Sequence, residues 1–310
     1  MPETVQVSFR GSVRECAAHV VLGSRVLVSG RLLRVAQVFD EDWLDEEPVR
    51  DPQSFIADLH RAGVRADILT FAQKLPNLAP RWEFQHDFYN LAVAPSADYK
   101  AWWDSLPQET RKHVRKSQRL GLQVRETVFD DALVDGIKSI YDETPVRQGR
   151  KFWHYGKQVE AVRAENATYL DRSILIGAYL EDELVGFLKM VRIGNTAHIM
   201  QIISKVAHLD KKTMNALIAK AAEVCSSKGI ESLVYSNYVY GRNEASSLTE
   251  FKRRNGFTKV LLPRYFVPLT LWGRLCLAVG AHRGLRHYLP LRIERMLFDL
   301  RGRLLNLRAS

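Results

Sequence analysis

Glu143, Arg147 and His154 fall within one polar and aromatic stretch, residues 142–155, that interrupts an otherwise regular run of apolar segments. A histidine ordinarily titrates near neutral pH, so His154 is a candidate to take a proton from a substrate. The competing reading is an exposed loop histidine. Arg147 and Arg150 carry charge that suits an anionic substrate, or they simply face water. Tyr141 and Trp153 offer flat apolar faces to a sugar or peptide, or pack into the core. Farther along, His198, Gln201 and Ser204 are read as sharing one strand face, placed to orient substrate or solvent. Tyr235 and Tyr238 end the next apolar run, and Lys252 follows beside Arg253 and Arg254. No Gly-x-Ser-x-Gly pattern marks a strained nucleophile. Cys16, Cys225 and Cys276 lie far apart, odd in number and without metal-ligand spacing. We therefore expect no disulfide framework and no metal site, and a reducing cytoplasm.

These residues need a scaffold, and the apolar periodicity outlines one. Residues 5–40 alternate as strands with short turns, including a hairpin at Ser29-Gly30. Asp51 before Pro52 starts a helix, and residues 67–71 form a buried strand. Two helices follow, 99–106 with Trp102-Trp103 and 107–120, the second stopped by Gly121. Arg111, Arg115 and Arg119 share a face of that second helix. That face is either an anion clamp or a solvated surface. From residue 122 the order is strand, helix, a hairpin over 174–191, a strand over 196–206, a helix, a strand, a helix and a final strand over 258–267. The helix after Asp210 carries Met214, Leu217, Ile218, Ala221, Ala222 and Cys225 on one stripe, a spacing that only a helix turns into one face. The 310 residues, 46% apolar, suffice for more than one domain. We expect an α/β chain with a mixed sheet flanked by helices: an N-terminal unit over 1–121, a second over 122–269, and a tail over 270–310.

The net charge of +10 is unevenly spread. From Arg264 onward there are nine arginines and no lysine against one glutamate and one aspartate, a net +7. A local anionic partner fits this better than a chain-wide nucleic-acid footprint. Ile293, Met296, Leu297, Leu300, Leu304 and Leu307 make a helical stripe flanked by Arg292, Arg303 and Arg308. That pattern suits a helix lying on an anionic membrane, or one docked on the protein's own core. Residues 271–281 are apolar, but the run is short and holds Arg274, so it cannot span a bilayer. The first residues lack the pattern of a secretory signal.

The order of elements resembles the GNAT acyltransferase fold, and more narrowly its Fem-type peptidyltransferase branch. Three features carry the resemblance: the Arg-rich helix ending in Gly121, the hairpin 174–191 in which Gly-Ala-Tyr leads to Glu-Leu-Val-Gly-Phe, and the closing element Phe251-Lys252-Arg253-Arg254-Asn255-Gly256-Phe257. It covers about 150 residues well. It extends weakly to the N-terminal part, often a second, degenerate copy in that branch. The resemblance implies transfer of an acyl group to an amine in a cleft between two splayed strands. Ile202, Ile203 and Ser204 would then pair with the pantetheine arm of acyl-CoA, acetyl-CoA in the commonest case. Val206, His208, Lys211, Lys212 and Thr213 would meet its pyrophosphate. The segment 141–155 matches the substrate loop, which makes Glu143 and His154 base candidates. Tyr240 is the nearest match to the tyrosine that protonates the leaving group, and Lys252 matches an active-site lysine of Fem-type enzymes. One departure stands out. The stretch 205–210 has no glycine where GNAT enzymes carry a glycine-rich pyrophosphate loop. Fem-type enzymes also lack that loop and take their acyl group from aminoacyl-tRNA. A non-catalytic, membrane-associated module with this fold is the third expectation.

Overall fold

The computed structural model describes residues 3–9, 12–147, 149–241 and 244–283. The stripe between Ile293 and Leu307 lies outside them. In chain order the strands are β1 (Glu3–Phe9), β2 (Ser12–Val21), β3 (Ser24–Ser29), β4 (Val35–Val38), β5 (Ile68–Ala72), β6 (Gln85–Pro95), β7 (Leu122–Thr127), β8 (Val146–Arg147), β9 (Arg150–Lys151), β10 (Ser173–Leu180), β11 (Glu183–Ile193), β12 (Thr196–Ser204), β13 (Ser232–Val234) and β14 (Thr258–Pro268). The helices are α1 (Pro52–Arg61), α2 (Tyr99–Ser105), α3 (Gln108–Arg119), α4 (Asp131–Tyr141), α5 (Val159–Asn166), α6 (Thr213–Ser227), α7 (Ser247–Arg254) and α8 (Leu271–Ala278).

The described residues form two compact units, one over 3–89 and 261–283, the other over 90–260. The first differs from the 1–121 unit expected from sequence. Trp102, Leu106 and Val114, on and beside α2 and α3, bury against Leu217, Ala221 and Phe257 of the second unit. Apolar anchors, not the break at Gly121, decide where those helices belong. In the first unit the strand order is β1-β2-β3-β4-β5-β14, antiparallel except for the parallel pair β4–β5. Asp51 caps α1 by accepting from Gln53 N. Thr270 caps α8 by accepting from Gly273 N. A Cβ on Gly273 would sit 1.9 Å from the Asp67 carbonyl oxygen, so this glycine lets α8 lie against the chain entering β5. Gly273→Ala should destabilise the protein by about 2 kcal/mol, since a backbone oxygen cannot swing aside. Urea unfolding measures the shift.

In the second unit the order is β6-β13-β12-β11-β10-β7. The pair β12–β13 is parallel and its neighbours are antiparallel. The α6 stripe read from the sequence buries Leu217, Ile218, Ala221, Ala222 and Cys225 fully and leaves Met214 in the first turn half-buried. With α2 and α3 it covers one sheet face, while α4 and α5 cover the other with Val134, Ile137, Ile140 and Val162. Gly186 lies in the Glu-Leu-Val-Gly-Phe stretch. A Cβ there would come 2.5 Å from Thr213 Cγ2, so the glycine lets the first turn of α6 rest on β11. Asp210 does not cap α6. The chain runs through a 3-10 turn at Val206–Lys211, and Lys212 adopts φ 57° before the helix begins. The strand expected over 196–206 is β12 and ends at Ser204. No described helix is long and apolar enough to cross a membrane.

Candidate active site

β12 has nine residues but pairs with β13 only through Thr196, Ala197 and His198. Beyond Val234 the chain turns toward β6: Tyr235 N donates to Ala92 O at 2.8 Å, and Ala92 N to Ser236 O at 2.9 Å. Ser236 takes a left-handed φ of 47° to do this. Asn90 then holds the departing chain, its Oδ1 accepting from Val239 N at 2.6 Å. Residues 199–204 of β12 therefore keep β11 as their strand neighbour and leave their other edge without a strand partner. A bulge falls at the same place. Gln201 faces Lys189 and Ile199 faces Met190, so Met200 is the extra residue.

The bulge also settles where the polar strand residues point. A spacing of three would put His198 and Gln201 on opposite faces of a regular strand. The extra residue returns them to one face, where Gln201 Nε2 donates to the Tyr141 hydroxyl. Ser204 falls on the other face, which corrects the expected three-residue row. Ile203 packs on the α4 side and Ile202 on the α6 side.

The aromatic segment after α4 builds one wall. His154 lies between two rings, 4.3 Å from Tyr141 and 3.9 Å from Trp153 by centroids. Tyr141 is buried, which raises its phenol above the ordinary value. Trp153 stays half exposed, with Lys157 Nζ 4.7 Å above its ring. His154 Nδ1 sits 3.5 Å from Glu165 Oε2, an ion-pair distance, and Lys157 binds the other oxygen of that carboxylate. Burial alone would raise the Glu165 carboxyl, but these two partners outweigh it and hold it below the usual range. Neither Glu165 nor Lys157 stood out in the sequence. Nothing in local spacing links α5 to a histidine eleven positions earlier.

Glu143 does something other than expected. Its two oxygens accept from the backbone N–H groups of Val206, at 2.6 Å, and Ala207, at 2.8 Å. Arg147 adds an ion pair at 3.1 Å and donates to the carbonyls of Ser204 and Ile140 at 2.8 and 2.9 Å. Glu143 thus occupies donors at the head of the 3-10 turn that an anionic ligand would otherwise use. The expectation that Val206 offers its N–H to a bound phosphate is corrected, and Glu143 is a clamp whose two oxygens are both engaged. Arg147 packs over Phe152 at 4.7 Å and serves the same clamp. His208 lies 3.8 Å from Glu183. Lys211 and Lys212 remain half exposed, and Thr213 is buried with its hydroxyl lacking a hydrogen-bond partner.

A second group gathers where the chain leaves β13, and here the sequence expectations converge. Lys252 of α7 is fully buried. Its ammonium lies 4.5 Å from the Tyr235 ring centroid and 4.7 Å from that of Tyr240, and it donates to the Asn237 carbonyl. No carboxylate pairs with it among the described ion pairs, and burial pushes it down to about 8. Tyr240 is half exposed. Tyr238 contributes its carbonyl, which accepts from Thr249 Oγ1 at 3.3 Å. A second buried lysine, Lys189, is also held at about 8 by burial. Its partners differ: it donates to the carbonyls of Asn166 and Thr168 and to Thr168 Oγ1. It therefore caps the C-terminal end of α5.

A strand pair that parts after three residues, a bulge at the parting, and a helix entering just beyond it make a specific combination. Three solved structures are similar to this chain in overall fold. They are L-PGS from Bacillus licheniformis (13% identity, 85% of this chain and 88% of that one, TM-score 0.55), the C-terminal domain of an Agrobacterium fabrum protein named a lysylphosphatidylglycerol synthetase (12%, 85% and 87%, TM-score 0.54), and FemX (10%, 90% and 90%, TM-score 0.52). The chain has the Fem-like GNAT fold. No protein-family model and no curated protein matches the sequence. At these identities the likeness establishes the GNAT architecture, and the site has to be argued from this chain's own residues. On the same sheet face as α6, the exposed Lys112, Arg115 and Arg119 of α3 border, with Gln118, a hollow of about 680 Å³. Arg115 is partly tied down, 5.8 Å from the Trp103 ring. His113 in the same helix is held below its ordinary value by burial and by the charges of Lys212, Lys116 and Arg254, so the cations of α3 adjoin those at the start of α6.

Proposed function

We propose that the chain is an N-acyltransferase that passes an activated acyl group to an amine in the opening where β12 leaves β13. The observation that carries this reading is the strand edge at residues 199–204 left without a strand partner where β13 ends, with the buried Lys252 held against Tyr235, the residue that follows β13. A free strand edge holds an extended acyl arm by backbone hydrogen bonds. The neutral amine of the acceptor attacks the acyl carbon, forming the new C–N bond and an oxyanion. His154, set between Tyr141 and Trp153, takes the proton released from the amine. Lys252 places positive charge against the oxyanion, and Gln201 and His198 orient the acceptor. The bond to the leaving group then breaks, and the leaving oxygen or sulfur departs with a proton, which Tyr240 is positioned to supply. Lys252 differs from the helix-capping Lys189 in having a single carbonyl acceptor and two aromatic faces around its ammonium, and this favours a chemical role over the non-catalytic reading. The acceptor we assign is an amino group on a sugar, an amino acid or a cell-envelope precursor, in the cytoplasm at the inner membrane face.

Two donors remain in play. Acyl-CoA, acetyl-CoA included, suits the free edge. Aminoacyl-tRNA is favoured by the Glu143 clamp, which fills the backbone site a diphosphate needs, and by the cations of α3 with Lys211 and Lys212, which suit a phosphodiester chain. A thermal-shift series with acetyl-CoA, free CoA, aminoacyl-tRNA and uncharged tRNA separates them. A donor present at 100 times its Kd stabilises the folded chain by about 2.7 kcal/mol. We expect a shift with aminoacyl-tRNA that shrinks steeply with salt, and none with acetyl-CoA. A shift with acetyl-CoA alone reverses the donor assignment, and no shift with any of the four sinks the transferase reading.

A further inference from the structure

We propose that the first unit docks on an anionic lipid surface through the outer face of α8. The helix is held firmly on its inner side. Gly273, Cys276 and Leu277 are buried, Thr270 Oγ1 lies 3.2 Å from Asp67 Oδ1, and Leu269 N donates to Asp67 O at 2.9 Å. Its outer side has the wrong composition for water. Leu271 is 82% exposed, Val279 62%, Leu275 55% and Trp272 50%. The Trp272 indole donates to the Leu32 carbonyl at 2.9 Å, which brings in a residue of the turn after β3 that is itself 88% exposed. Single exposed leucines are ordinary on any surface, whereas a contiguous apolar patch built from two separate elements marks a contact site.

Charge identifies the occupant. Arg274 rises from the same helix and forms no ion pair among the described residues; Arg264 and Arg283 are answered by Glu41 and Asp87, and the sequence after Arg283 holds six further arginines against one glutamate and one aspartate. An apolar protein partner has no need of that charge, and a nucleic acid has no need of the leucines. A bilayer with anionic headgroups takes both: leucine and valine in the acyl boundary, tryptophan at the interface, and arginine on the headgroups. Eight residues reach only ~12 Å along a helix axis, so α8 lies in the plane of the interface and does not cross it. This surface stands independently of the transferase reading, since it uses none of the residues at the β12–β13 opening.

The test uses the full chain and vesicles of phosphatidylcholine with or without phosphatidylglycerol. We expect co-sedimentation with the phosphatidylglycerol vesicles, weakened by salt. The double variant Leu271→Glu/Leu275→Glu should lower partitioning about 100-fold, taking roughly 1.5 kcal/mol of apolar burial per leucine, with an unchanged Tm because neither side chain is buried. Lipids brominated on the acyl chain should quench part of the tryptophan emission, and that part should vanish in Trp272→Phe. This second measurement decides the matter should the double variant misfold. Three results would overturn the proposal: a wild-type chain that stays in the supernatant because its own C-terminal residues cover the patch, equal partitioning of wild type and double variant, or a lipid-free dimer that buries Trp272.

Discussion

Lys252→Met should nearly abolish acyl transfer and raise the melting temperature in the same protein. The ammonium of Lys252 is fully buried and held at about 8, against an ordinary lysine value near 10.5. That depression costs the folded state about 3 kcal/mol at neutral pH. Tyr235 and Tyr240 return part of the cost through their ring faces, and the Asn237 carbonyl returns another part. Methionine fills a similar volume without the charge, so the net gain should be about 1–2 kcal/mol, or roughly 2–6 °C in Tm. If Lys252 stabilises the oxyanion, the same change should lower kcat by about 10²–10³. The pH dependence follows in sign. The folded value is depressed, so between about 8 and the unfolded value the unfolded chain binds a proton that the native chain has released. Stability therefore rises with pH across that window, and the variant should show a shallower rise. Lys189 serves as the control. It has the same depression but three acceptors at the end of α5, so Lys189→Met should lose stability. A Lys252→Met protein that is more stable and fully active would remove Lys252 from the chemistry.

The contrast between these two lysines also shows what a sequence can and cannot disclose. Lys252 was legible because its element is local. Phe251 to Phe257 runs from the last turn of α7 to the residue before β14, and Tyr235 and Tyr240 lie within twenty positions of Lys252 in the chain. The same holds for the α6 stripe and the hairpin of β10 and β11, whose periodicity needs no distant partner. Glu143 was identified as a residue of interest and assigned the wrong task. Its partners, Val206 and Ala207, are more than sixty positions away, and nothing near Glu143 announces them. Asp210 failed as a cap for a different reason. It has the right residue type ahead of an apolar stripe, but the left-handed Lys212 resets the chain after it and begins α6 three residues later. The divergence of β12 from β13 is likewise set by backbone hydrogen bonds to Ala92, a residue that no motif singled out.

Glu143→Ala should destabilise the protein by about 3 kcal/mol, the largest stability loss expected of any side chain at the site. The carboxylate answers three donors at once: the two backbone N–H groups at the head of the 3-10 turn and the Arg147 guanidinium. Both members of the ion pair are less than a fifth exposed, so solvent replaces little of what is lost. Breaking one side of such a pair strands the other charge, which is why single removal costs more than the pair itself contributes. Burial already pulls Arg147 below its ordinary value and its Nε has no hydrogen-bond partner, so without Glu143 it keeps two carbonyl acceptors and the Phe152 ring but no opposite charge. Glu143→Gln keeps an acceptor for one N–H and should lose about half as much. The double variant Glu143→Ala/Arg147→Ala should recover part of the loss, because no stranded cation remains. These values come from urea unfolding, and additive losses in the double variant would show that the two residues do not act as a unit. The same substitution bears on the donor. Freeing the N–H groups of Val206 and Ala207 restores the bare backbone donors that a diphosphate seeks at a helix entry. Glu143→Ala should therefore acquire a thermal response to CoA that the wild type lacks. If wild type and variant respond to CoA alike, Glu143 fastens the loop without deciding which donor it admits, and the case for an RNA-borne acyl group rests on the cations of α3 alone.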